Sequence, residues 1–159
     1  MTRIESRLVV SQSVEETFAF LAKRESHLKF IPRITSLTQT SQRAFAQIGS
    51  TANGMLNYFG MKIPVQYEVI EHEPMARLAM KGLMGPVAFR DGYVLSKKND
   101  GTEIKFWLEL NLSGWTRILA PFAWFISKVH AWETLSNLKI EISRSRGPSA
   151  PAIDDADGN

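Results

Sequence analysis

The stretch WTRILAPFAWFISKVHAWETLSNLKIEISRS, residues 115–145, decides the fold. It is the one segment with room for a long helix; before Gly114 the chain reads almost entirely as strand. At 100° per residue, Phe122, Phe125, Ile126, Val129, Trp132 and Ile140 fall on one arc, and Trp124, Ala131, Leu135, Leu138 and Ile142 on a second. A narrow third arc of Ser127, His130, Thr134, Asn137 and Glu141 is polar and is expected to meet water. A helix so widely apolar needs a large partner surface, and the preceding strands are the candidate. What fills the space between them becomes the functional question. The main body of the helix is expected from Pro121 to about Arg144, with Pro121 in the first turn or kinking it one turn in.

Working back to the start, Ile4, Ser6, Leu8 and Val10 alternate with Glu5, Arg7, Val9 and Ser11 at the period of a strand. Ser13-Val14-Glu15-Glu16 then offers a serine N-cap with glutamate three residues on, a capping box that satisfies two otherwise orphaned N–H groups. A helix over Val14 to Arg24 follows, with Val14, Phe18, Leu21 and Ala22 in one stripe. Phe30-Ile31-Pro32 closes a second short helical turn, since proline disfavours helix at the residue before it.

From Ile34 to Ser113 the pattern predicts six strands: Ile34–Thr40, Thr51–Phe59, Lys62–Glu73, Arg77–Lys81, Val87–Ser96 and Thr102–Leu112. Gly49, Gly60, Glu73-Pro74, the Gly82 to Pro86 segment and Asn99-Asp100-Gly101 divide them. Connections this tight imply antiparallel neighbours. Ile63, Val65, Tyr67 and Val69, then Leu78 and Met80, then Phe89, Tyr93 and Leu95, then Ile104, Phe106, Leu108 and Leu110 make the inward faces. Lys62, Gln66, Glu68, Arg77, Lys81, Arg90, Glu103, Lys105 and Glu109 suit a solvated back. The fold class is α+β, a sheet covered on one side.

A chain of 159 residues with 44% hydrophobic and 22% charged residues is one soluble globular domain by expectation, long enough to enclose a core or a cavity. The absence of cysteine removes disulfides, thiolate nucleophiles and zinc-thiolate sites together. The amino terminus carries Arg3, Glu5 and Arg7 and lacks the apolar core of a signal peptide, so a cytoplasmic location is expected. The apolar run Ile118 to Ile126 is too short for a bilayer span of about 20 residues. Residues 146–159, RGPSAPAIDDADGN, have little to bury and are expected to form a disordered tail of net charge −2, which leaves +5 on residues 1–145. No basic cluster interleaved with aromatics appears, so nucleic acid is not an expected partner.

The order strand, two short helices, six antiparallel strands and long carboxy-terminal helix resembles the helix-grip fold of the START-like, polyketide cyclase/dehydrase (SRPBCC) superfamily over roughly residues 3–143. Local phrases carry the likeness. Residues 11–18 (SQSVEETF) look like the strand-to-helix entry, and Ile48-Gly49 like the glycine opening the third strand. Residues 67–74 (YEVIEHEP) look like the fourth strand and its turn, residues 100–104 (DGTEI) like the turn before the last strand, and residues 135–141 (LSNLKIE) like the end of the final helix. The resemblance implies a seven-stranded antiparallel curved sheet wrapped around the helix, over a domain of residues 1–145. Members of this superfamily include lipid and quinone carriers, hormone receptors and cyclases, so fold alone does not assign a function.

Tyr67, Met80, Phe89, Tyr93, Phe106, Phe125 and Trp132 are expected to point into the grip, with Leu108 and Val129 beside them. Such residues line a site for a hydrophobic small molecule, or they close-pack as an ordinary core. Asp91 is the most informative residue, because the alternation Phe89, Asp91, Tyr93, Leu95 puts a carboxylate on the apolar face, where burial is costly unless it is paired. It can orient a ligand hydroxyl or act as a general base; alternatively it marks a bulge, or pairs with Arg90 or a lysine of the long helix. His27, His72 and His130 have no metal-ligand spacing and are not expected to share a face with Asp91, so neither metal nor cofactor is implied. Lys128 is expected to snorkel to water.

Three functions remain at this level. The first is binding or carriage of a lipid, isoprenoid, quinone or polyketide in a cavity between sheet and helix. The second is a polyketide cyclase or aromatase activity in which Asp91 and Tyr93 assist proton transfer, since enolate cyclisation needs little beyond a folded substrate and one positioned acid or base. The third uses the second arc of the helix, with Trp115 and Trp124 as anchors on a membrane or on a second subunit of a homodimer.

Overall fold

The capping box predicted at Ser13 forms: Glu16 N–H donates to Ser13 Oγ at 3.1 Å, and Ser13 N–H donates to the Glu16 carboxylate at 3.1 Å. It starts the first helix in a computed structural model that describes residues 2–145. The elements run β1 (Thr2–Val10), α1 (Val14–Leu21), α2 (Arg24–Phe30), β2 (Ile34–Gln39), β3 (Thr51–Tyr58), β4 (Met61–Glu73), β5 (Arg77–Met84), β6 (Val87–Lys98) and β7 (Gly101–Asn111). A 3₁₀ helix, Gly114–Leu119, then leads into α3 (Ala120–Ser145). The expected tail at residues 146–159 lies outside the described residues.

The seven strands form one antiparallel sheet in the order β1-β7-β6-β5-β4-β3-β2. This is the α+β helix-grip arrangement. Consecutive β1 and β2 lie at opposite edges, so α1 and α2 carry the chain from one edge to the other, while each later strand pairs with its predecessor, β3 with β2 across the loop of residues 40–50 and the others through short turns.

Two local readings differ from expectation. The first helix stops at Leu21, not Arg24, because Lys23 turns extended and α2 begins anew. That break lets buried His27 donate from Nε2 to Leu21 O at 2.7 Å, satisfying a carbonyl that the end of α1 leaves free. The fifth strand does not turn at Gly82 but continues to Met84. Gly82 marks a close approach within the sheet: a Cβ there would stand 1.7 Å from Gln66 O.

The largest correction concerns the facing of α3. The two aromatics expected to point into the grip are turned outward: Trp132 is 69% exposed and Phe125 59%, with Phe122 and Ile140 exposed beside them, while Ile126 of the same arc stays on the inner side. The buried residues of α3 are Ser127, Ala131, Thr134, Leu135, Leu138 and Ile142, so part of the strip expected to meet water faces the protein instead. Small side chains explain the choice. Ala131, Ser127 and Thr134 let the helix backbone come close to the strands, and Leu135, Leu138 and Ile142 then join the core with Ile4, Leu21 and Phe30. Ser127 Oγ donates locally to Ala123 O at 2.6 Å and Asn137 Nδ2 reaches Phe30 O at 3.2 Å, while the Thr134 hydroxyl is buried without a partner.

This orientation makes opposite predictions for two large side chains of one helix. Leu138→Ala is expected to cost ~2–5 kcal/mol in a urea-unfolding experiment. Trp132→Ala is expected to change stability by no more than ~0.5 kcal/mol, as at other surface positions.

Candidate ligand-binding site

The site is built around Asp91. On β6 it pairs with Met80 of β5 and Leu108 of β7, in unbroken register on both sides, so the carboxylate sits in the middle of an apolar cross-strand row. It is neither at a bulge nor in an ion pair: Oδ1 is buried without a hydrogen-bond partner, and Arg90 is exposed on the other face. Burial pushes the Asp91 carboxyl up to about 7, only partly offset by its own backbone N–H. Two phenols respond to the same surroundings. Burial, then the nearby Asp91 charge, raises both Tyr67 and Tyr93 well above the ordinary tyrosine range, so both stay neutral donors.

Gly82 shapes the wall next to Asp91. It stands between Tyr67 on β4 and Phe89 on β6, and without a side chain there the two rings meet edge to face at 5.5 Å. A Cβ at Gly82 would also come within 2.9 Å of the Phe89 ring.

Opposite this wall lies the first half of α3. Between them is a small, partly open space of about 50 Å3, lined by Leu56, Tyr58, Val65, Tyr67, Met84, Phe89, Asp91, Leu108, Leu110, Ile126, Ser127 and His130. Its polar side is an ordered chain. The Tyr58 hydroxyl and His130 Nδ1 are 3.0 Å apart, the Arg33 guanidinium lies 5.1 Å from the Tyr58 ring centroid, and Arg33 pairs with Glu133 through both carboxylate oxygens. Burial first, and the Arg33 charge second, hold His130 down to about 4. The imidazole is therefore neutral at pH 7, with Nδ1 free to accept from Tyr58. This chain ties the middle of α3 to the β2–β3 edge of the sheet.

A larger concavity of about 640 Å3 crosses the outer face of the sheet among Gln66, Glu68, Lys81, Arg90, Glu109 and Asn111. Its charged side chains belong to the solvated back of the sheet, and Tyr67, Leu83, Ala88 and Phe89 also border it.

Of the residues expected in the grip, Tyr67, Phe89, Asp91 and Leu108 line the small space beneath α3. Met80, Tyr93 and Phe106 are buried in the adjoining core, where the Tyr93 and Phe106 rings pack at 5.2 Å. Phe125 and Trp132 point away from the space, and Val129 is half-buried on their side of the helix. His130, expected on a water-facing strip apart from Asp91, lines the same space as Asp91. Tyr58 was legible as an inward residue from the alternation Ala52, Gly54, Leu56, Tyr58, all four buried. His130 gave no such signal, because a polar residue on an apolar helix reads as solvent-facing.

No protein-family model matches the chain. No curated protein matches it in sequence. Solved structures do match in fold. TTHA0849 from Thermus thermophilus is 12% identical, with 91% of this chain and 99% of that one covered and a TM-score of 0.77. A START superfamily protein from Mycobacterium smegmatis is 11% identical over 90% of this chain and 98% of its own, with a TM-score of 0.72. The di-domain ARO/CYC StfQ of the steffimycin biosynthetic pathway is 10% identical, with 92% of this chain and 52% of that one covered and a TM-score of 0.71. At these identities the likeness is one of fold, and it is the START-like fold.

The raised Asp91 pKa has a signed consequence. Between pH 3.8, its ordinary value, and about 7 the folded chain keeps a proton that the unfolded chain has released. Stability from this group therefore falls as pH rises through that window, by up to ~4 kcal/mol. His27 and His130, both held down to about 4 by burial, act in the opposite sense and cost stability as pH falls below 6.5. Asp91→Asn removes only the first effect. Its stability relative to the parent should be near zero at pH 4, grow to a plateau above pH 7, and be read from urea midpoints across that range.

Proposed function

We propose that the protein binds a hydrophobic small molecule of lipid, isoprenoid, quinone or polyketide type between the sheet and the first half of α3, with a ligand hydroxyl donating to Asp91. The observation that carries this reading is the buried, unpartnered Oδ1 of Asp91 in an otherwise apolar row between Met80 and Leu108. A buried acceptor without a partner costs about 1–3 kcal/mol, a cost that a ligand donor removes on binding. The neutral phenol of Tyr67 and the Tyr58–His130 pair supply further polar positions around an apolar body, the composition of a small-molecule site.

The space of about 50 Å3 is well below the roughly 300–1,000 Å3 of drug-sized sites. Entry therefore requires the 3₁₀ helix and the first turns of α3 to swing outward. The packing supports such a motion. Leu135, Leu138 and Ile142 lock the second half of α3 into the core, and the Arg33–Glu133 pair holds its middle. Before Ser127 no residue of α3 is buried. The hinge would fall near His130.

A matched pair of ligands tests the reading. 1-Naphthol should raise the thermal midpoint more than its methyl ether, and its affinity should rise as pH increases through 7, because the ionised carboxylate is the better acceptor. In Asp91→Ala the preference for the free hydroxyl should vanish, a loss of ~1.5–3 kcal/mol or roughly ten- to hundred-fold in Kd. If no apolar compound of this kind shifts the midpoint, the binding reading is wrong.

The Asp91 value of about 7 also favours a second reading, since a base poised near neutral pH suits proton abstraction beside a substrate carbonyl. Here Asp91 takes the proton and the neutral Tyr67, which lines the same space, donates to the developing enolate oxygen, which Tyr93, packed in the adjoining core, cannot reach. On a poly-β-ketone substrate, Asp91→Asn is expected to lower kcat by ~100-fold or more while leaving substrate affinity largely intact. Absence of turnover by the parent protein would remove this reading and leave the first standing.

A further inference from the structure

The tip of the β3–β4 hairpin, the β5–β6 turn, the end of β7 and the start of α3 all lie at one end of the sheet, as the pairings Tyr58 with Met61, Met84 with Val87 and Ala88 with Asn111 require. This end is unlike the rest of the surface. Phe59 is 87% exposed, Ile118 84% and Trp115 70%, with Met61, Phe122 and Phe125 exposed around them. Residues 58–66, 82–89 and 110–132 contain Lys62, Arg117 and Lys128 but neither aspartate nor glutamate. Lys62, Arg117 and Lys128 are all exposed, and the Lys128 ammonium lies 4.2 Å from the Trp124 ring centroid.

The hairpin tip adds an independent observation. Phe59 and Gly60 both have positive φ, 52° and 84°, the backbone of a two-residue type I′ turn. The first position of such a turn favours asparagine, aspartate or glycine, and a bulky aromatic there is strained. An aromatic side chain is thus held in water, at a conformational cost, at the tip of the β3–β4 hairpin.

We infer that this end of the molecule docks on the surface of an anionic lipid bilayer, its aromatics entering the interface and Lys62, Arg117 and Lys128 meeting the headgroups. Tryptophan and phenylalanine beside lysine and arginine match the chemistry of that boundary. No helix among the described residues is long and apolar enough to cross a membrane, so the contact is peripheral. A second copy of the chain is a poorer fit. A two-fold contact through this patch would set the same basic surface, acid-free among the described residues, against itself, with no carboxylate there to pair its cations. The inference stands apart from ligand binding in the cavity, although Met84, Leu110 and Ile126 place the small space at this same end.

Vesicle flotation tests it. The protein should float with vesicles of phosphatidylcholine and phosphatidylglycerol, float far less with phosphatidylcholine alone, and lose binding as salt is raised. Phe59→Asn suits the I′ turn, so it leaves the fold intact while removing the anchor, and it should weaken vesicle binding at least ~five-fold. Lys62→Glu, a charge reversal on the exposed face of β4, should weaken it by a similar factor or more. The inference is overturned if the parent protein ignores anionic vesicles, or if Phe59→Asn and Lys62→Glu bind them as the parent does. It is equally overturned if sedimentation shows a dimer that Phe59→Asn dissociates while vesicles remain unbound. Midpoint shifts with 1-naphthol report the cavity separately, so either result can fail without the other.

Discussion

How closely α3 can approach the sheet governs the rest of this molecule. The helix carries bulky apolar side chains on most of its circumference, and a close approach to strands is possible only where the side chains are short. Ala131, Ser127 and Thr134 provide that strip, and Leu135, Leu138 and Ile142 extend its line into the core. Once that face is chosen, everything else about the helix follows from the 100° step between residues. Phe122, Phe125, Trp132 and Ile140 must face outward, and His130 must face the sheet's inner rim.

The choice leaves the two halves of α3 in different physical states. The second half is anchored by fully enclosed side chains and by the Asn137 bond to Phe30 O. The first half rests on Ala123, Ile126 and Ser127, which make limited contact and leave space beneath them. The two regimes meet at the Tyr58–His130 and Arg33–Glu133 contacts, a part-buried polar join between helix and sheet. Polar joins of this kind give little net stability compared with apolar packing, but they fix geometry because each partner is left unsatisfied if the other moves. The proposed ligand site beside this join sits next to the least packed turns of the helix.

The same division separates where the molecule is charged from where it is apolar. Ion pairs such as Arg3–Glu109, Lys81–Glu68 and Lys98–Glu103 lie on the outer face of the sheet and on its strands, where solvent screens them. Among the described residues, the end that carries Phe59, Trp115 and Ile118 has cations and no carboxylates. The molecule is therefore polarised along its strands, with its least anchored helix turns at the apolar end.

Alternation along the strands was legible in the sequence because its period of two admits only two choices of face, and a sheet covered on one side makes those choices chemically unequal. Val65, Val69, Leu78, Met80, Phe89, Tyr93, Ile104 and Phe106 are buried as that alternation requires, and Asp91 stands out from it for the same reason. Turn chemistry and the capping box at Ser13 were legible because they act within a few residues. The facing of α3 was not, since a helix apolar on two arcs has no single preferred side, and the deciding quantity is the gap left by strands as distant in the chain as β1 at Thr2–Val10. Nor was the meeting of His130 with Asp91, which depends on that facing. By itself the sequence determined the strands, their order of inward residues and the carboxylate on the apolar face, all consequences of local period and local hydrogen bonding. Only the tertiary structure decided which side of the helix closes over that carboxylate, because volume between packed elements is a property of the assembled layers and of no single segment.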